Sequence, residues 1–67
     1  MTGKIIKVLT TFIIEVEDGR RGKTNIVPTY RNAVNWIDLE KGDRIKGLRW
    51  KSEQDGIIDG DSPVERE

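Results

Sequence analysis

Cysteine and histidine are both absent from the 67 residues. Without thiols there is no disulfide and no cysteine nucleophile, and without imidazole the commonest general base and metal ligand is gone. Zinc fingers and zinc ribbons are excluded, and no metal site and no cofactor is expected. Aromatic residues are few: one Phe, one Tyr and two Trp. No long apolar run occurs, because Lys7 interrupts the first stretch before residue 10. That suits neither a membrane helix nor the apolar segment of a leader, so a cytoplasmic protein with no membrane partner is expected. Net charge is lacking too, since 12 basic residues meet 12 acidic ones, which counts against a histone-like DNA coat. No catalytic residue is assigned and an enzyme is not expected. Acid-base chemistry without histidine needs a carboxylate or lysine with a displaced pKa in an enclosed pocket, which so short a chain seldom forms.

What the chain does have is β-branched alternation broken by turn residues. Val and Ile suit a pleated, half-buried surface, and Asp18-Gly19 supplies the positive backbone dihedrals of a hairpin turn. The spacing predicts strands over Lys4 to Leu9, Phe12 to Glu17 and Arg21 to Val27, the last stopped by Pro28, which has no ladder donor. By period-two alternation Phe12, Ile14 and Val16 form the core face, while Arg21, Lys23 and Asn25 share the outward face of the third strand. Ala33, Trp36, Ile37 and Glu40 recur at helical spacing with Asn32 as cap, so one short helix is expected over 31 to 40, stopped at Gly42. Trp36 then serves as an apolar plug at one end. A fourth strand runs from Asp43 or Arg44 to Lys51. Ile45 and Leu48 fall on opposite alternations there, which calls for a bulge or sharp bend at Gly47. A fifth covers Gly56 to Asp59. Residues 1–60 make one barrel domain and 61–67 an acidic, flexible tail that screens the basic face.

Charge is sorted along this layout. Arg20, Arg21, Lys23 and Arg31 fall in an acid-free stretch, and so do Arg44, Lys46, Arg49 and Lys51, whereas residues 53–67 hold six acids against Arg66. The acids Asp55, Asp59 and Asp61 lack the register of a calcium loop and read as solvated turn residues.

Three strands, a helix and two strands is the order of an OB-fold, an all-β, five-stranded small β-barrel. Gly3-Lys4-Ile5-Ile6, then Phe12-Ile13-Ile14-Glu15-Val16-Glu17-Asp18-Gly19, Gly42-Asp43-Arg44-Ile45 and Asp55-Gly56-Ile57-Ile58, resemble in order the segments of the translation-initiation-factor-one type of OB domain, over roughly residues 3 to 59. The segment Asn25 to Tyr30 departs from that pattern, as does the absence of basic excess. The resemblance implies the fold and a ligand class, single-stranded nucleic acid with RNA ahead of DNA and a link to translation. It does not extend to initiation-factor activity.

OB-folds bind single strands on strands two and three and the flanking loops, where cations track phosphate and aromatics stack bases. By register the expected nucleic-acid-binding residues are Arg20, Arg21, Lys23, Asn25, Tyr30, Arg31, Lys46, Arg49, Trp50 and Lys51. Tyr30 either stacks a base or packs the barrel end, and Trp50, between two cations, either stacks or joins the core. The alternative is a protein-interaction or self-association barrel, a homodimer or adaptor using strand one, where Ile5, Leu9 and Ile13 lie on the alternation opposite Ile6, Val8 and Ile14.

Overall fold

Period-two alternation produces the first hairpin of the computed structural model, which describes residues 1–8, 11–25, 36 and 38–67. Strand β1 (Gly3–Val8) pairs antiparallel with β2 (Phe12–Val16). In β2 the residues Phe12, Ile14 and Val16 are buried while Ile13 and Glu15 between them are half-buried. The next turn is one residue longer than a two-residue Asp-Gly hairpin, because Val16 N–H donates to the Arg20 carbonyl at 2.8 Å. Gly19 N–H donates to the Val16 carbonyl at 2.9 Å and only Gly19 has positive φ, at 90°. This is a three-residue loop closed by a left-handed glycine, and it delivers the chain into β3 (Arg21–Thr24).

The remaining strands among the described residues are β4 (Arg44–Lys46), β5 (Trp50–Ser52), β6 (Ile57–Ile58) and β7 (Glu65–Arg66). All seven form one curled sheet in the order β5-β6-β3-β2-β1-β4-β7, a half-barrel in form, in which β3 and β6 run parallel. The fourth strand foreseen over 44–51 is divided at Gly47, whose φ is 89°. Its two parts, β4 and β5, lie toward opposite ends of the sheet order although only residues 47–49 separate them. The sheet must therefore curl until those ends approach each other. Gly47 tolerates this bend because it has no side chain: a Cβ there lies 2.8 Å from the Pro63 carbonyl oxygen.

The curl encloses a core of Ile5, Phe12, Ile14, Val16, Trp36, Ile45, Leu48, Ile58 and Val64. Trp36 is 1% exposed, stacks on Phe12 with ring centroids 5.1 Å apart and donates its indole N–H to the Ser62 carbonyl at 3.1 Å. It is the apolar plug its spacing suggests. Buried Thr24 is satisfied as well, its Oγ1 accepting the Phe12 N–H at 3.1 Å.

Two expectations need amendment, the acidic tail and the strand-one surplus, and others fall outside the described residues. The helix over 31–40 lies largely outside the described residues, whose share is one turn, Leu39 N–H donating to the Trp36 carbonyl at 3.1 Å. Leu9 and the end of the third strand at Ile26 and Val27 also lie outside them. The acidic tail is part of the fold: Ser62 and Val64 are 1% and 2% exposed, and Glu65–Arg66 pairs antiparallel with β4. Val64 supplies the apolar burial that ties this otherwise polar segment down, and buried Ser62 adds hydrogen bonds to Trp36, Arg49 and Asp59. The strand-one surplus resolves differently as well. A bulge between Ile5 and Lys7 turns Ile5 into the core and leaves Ile6 half-buried and Val8 44% exposed.

Candidate nucleic-acid interface

Pairing register determines which side chains share the outer surface. One row across four strands reads Lys7, Ile13, Lys23, Ile57, from β1 through β2 and β3 to β6. The adjacent row reads Arg44, Lys4, Glu15, Arg21, from β4 through β1 and β2 to β3. Residues 13 and 15 lie two apart on β2, so the rows are roughly 7 Å apart, and Lys7 and Lys23 flank Ile13 from either side at a separation of about 10 Å. A shallow groove of about 250 Å³ opens beside the second and third strands, lined by Ile13, Arg21, Gly22, Lys23, Asp55 and Gly56.

The charges are segregated by element. The seven described strands carry eight basic residues (Lys4, Lys7, Arg21, Lys23, Arg44, Lys46, Lys51, Arg66) and two acidic ones (Glu15, Glu65). Four basic and ten acidic residues are left for the rest of a neutral chain. The strand surface is thus strongly positive, with the compensating acids in turns and connections. Long Lys and Arg stems also cover apolar sheet surface while their heads stay in water, which reconciles this arrangement with folding.

The expected site residues divide into groups. Arg21 and Lys23 project from β3 into the outer rows, both exposed, and Arg21 lies 3.7 Å from the Glu15 carboxylate. Lys51 is exposed on β5. Trp50 points the other way: it pairs with buried Ile58, is half-buried against the core, and its ring edge lies over Gly22, where a Cβ has only 2.8 Å of room. Arg20 covers this indole, its guanidinium carbon 5.2 Å from the ring centroid. Two carboxylates hold Arg20 there. Its Nε donates to Asp18 at 2.7 Å and its Nη1 to Glu53 at 2.9 Å. The backbone N–H of Arg20, the largest influence, and then its guanidinium hold the Asp18 carboxyl below the usual range. Glu53 first and Asp18 second push the Arg20 guanidinium further up.

Others lie apart or serve the fold. Arg49 reaches Asp59 at 3.4 Å, and Lys46 approaches Glu65 at 3.9 Å. Asn25 ties elements together: its Oδ1 accepts the Gly60 N–H at 2.6 Å, and its own N–H donates to the Ile58 carbonyl at 3.0 Å. Tyr30 and Arg31 lie outside the described residues. Sequence reading missed Lys4, Lys7 and Arg44 as members of the outer rows. The hairpin register carries that signal, but the bulge at Ile6 hides it by shifting the parity of β1. A larger depression of about 290 Å³ lies near the chain end, lined by Glu15, Glu17 and Glu67 as well as Lys4 and Arg44, and its three carboxylates suit a phosphate ligand poorly.

Compared with known proteins, the chain matches no family model, no curated protein and no solved structure. Among the described residues no helix is long and apolar enough to cross a membrane.

Proposed function

We propose that this chain is an OB-like barrel that binds single-stranded nucleic acid, RNA ahead of DNA, on the outer face of β1, β2 and β3. The single observation behind this is the segregation of charge: eight basic against two acidic residues on the strands of a neutral chain. An anionic polymer crossing the rows meets Lys7, Lys23 and Arg21, with Lys51 and Arg20 at the β5 side. Ile13, between Lys7 and Lys23, and Ile57, on the far side of Lys23, give the bases or sugars an apolar footing.

The OB-like reading draws on the division at Gly47. If residues 44–52 count as one strand bent there, then β1, β2, β3, that strand and β6 make five, and β7 is an addition at the end. In that count the candidate face includes the second and third strands, the ones OB-folds use for single strands, which supports the reading. A kinship with the translation-initiation-factor-one type rests on the motif order alone.

The test is an amide NMR titration with a short mixed-sequence single-stranded RNA at low salt, repeated with the DNA counterpart. Shifts grouped on Lys7, Ile13, Arg21 to Lys23 and Lys51 are expected, larger for RNA. A spectrum that does not move refutes the reading and favours the protein-interaction alternative. That alternative has a narrower base than the sequence suggests: Ile5 is in the core, and Val8 is the exposed large apolar residue among those described.

A further inference from the structure

Arg20 combines features that the phosphate-tracking face does not account for. It lies outside the strands, covers Trp50, and is bound by two carboxylates of different standing. Asp18 belongs to the same turn and holds Arg20 twice, through the backbone N–H at 3.0 Å and Nε at 2.7 Å. Such a short-range contact orders little additional chain. Glu53 comes from the β5–β6 turn, is separated by 33 residues, and makes one hydrogen bond through a side chain that is 59% exposed. It is the hold that comes from a distant part of the chain and leaves the Asp18 contacts intact when it is released. A guanidinium offers five N–H donors, and these contacts use Nε and one donor of Nη1.

Building on the reading above, we infer that Glu53 is an internal stand-in for a backbone phosphate: it occupies Arg20 in the free protein and yields when a strand binds. Asp18 and the Trp50 ring keep the guanidinium in place while this exchange occurs. A phosphate matches the fork of Arg with two oxygens where Glu53 supplies one, so the exchange improves the geometry as well as the charge. Glu53 thereby selects for ligands that carry a phosphate at the Arg20 position and discriminates against weakly anionic surfaces.

The experiment is a double-mutant cycle on the full chain, with affinity for a single-stranded oligonucleotide of 12 uridines read at low salt. Glu53→Gln should tighten binding by about 1.5- to 5-fold, the range spanned by one exposed ion pair. In an Arg20→Gln background the same replacement should have no effect. Glu65→Gln, an equal change of charge beside Lys46, serves as the control and should alter affinity less than Glu53→Gln does. If Glu53→Gln leaves affinity unchanged, or tightens it equally without Arg20, the stand-in role is refuted and the strand-face reading survives. If the unaltered chain does not bind at all, both fail together.

Discussion

Replacing Val64 by Ala tests whether the C-terminal residues belong to the fold. The side chain is 2% exposed and lies in the same core as Trp36 and Ile45. Truncation removes two methyl groups, a transfer loss of about 1.6 kcal/mol, and the unfilled space raises the total to roughly 1.5–3 kcal/mol. A domain of this length has roughly 3–10 kcal/mol of stability, so the variant still folds but loses a visible share. Urea unfolding followed by far-ultraviolet circular dichroism should show a lower midpoint with an unchanged slope, and Tm should drop by roughly 6–24 °C. Glu67→Gln, at an exposed position three residues past Val64 and just beyond β7, should stay within about 0.5 kcal/mol of the parent. Were Val64→Ala equally silent, residues 61–67 would be a loose tail after all, and the seventh strand would contribute nothing.

Other expectations follow from the same geometry. Gly22→Ala places a Cβ 2.8 Å from the Trp50 ring and 2.9 Å from Ile58, so it should cost about 1–3 kcal/mol as overpacking and shift tryptophan emission; a neutral result would show that Trp50 does not sit over β3. Gly47→Ala should destabilise, because φ of 89° is strained for alanine and its Cβ meets the Pro63 carbonyl at 2.8 Å; thermal melting reads the effect, and an unchanged Tm would contradict the bend. Asp18 is held below its ordinary 3.8 by the Arg20 backbone N–H, so its contribution to stability is complete above the unfolded pKa and is lost as pH falls through the folded one. Carboxyl NMR should show that depressed midpoint, and Asp18→Asn should remove this acid-side loss. A midpoint at the ordinary value would mean the turn contact does not persist in solution.

The legible parts of the fold are those with strict alternation. Phe12, Ile14 and Val16 announce their face, as do Arg21 and Lys23, because a hairpin gives period two directly. Gly47 is legible for the opposite reason, since Ile45 and Leu48 cannot both point inward from an unbent strand. What escapes is long-range. Nothing near Arg20 signals Glu53, a partner 33 residues away, and the bulge at Ile6 reverses the parity of β1 without a glycine to mark it. Val64 is a lone apolar residue among acids, so its burial depends on a space that only the curled sheet creates. Charge was readable as two basic blocks, yet the actual division is between strands and connections, which requires the element boundaries.

The most direct test of the strand-face claim is the salt dependence of affinity for single-stranded RNA. Lys7, Arg21, Lys23, Lys51 and Arg20 offer four or five phosphate contacts, which predicts a log-log slope of about −3 for a single strand. Lys23→Gln should reduce the magnitude of that slope by about 0.7 without altering the fold, as each lost contact releases one counterion fewer. A slope near zero, or binding that survives Lys23→Gln with the slope unchanged, would contradict the account.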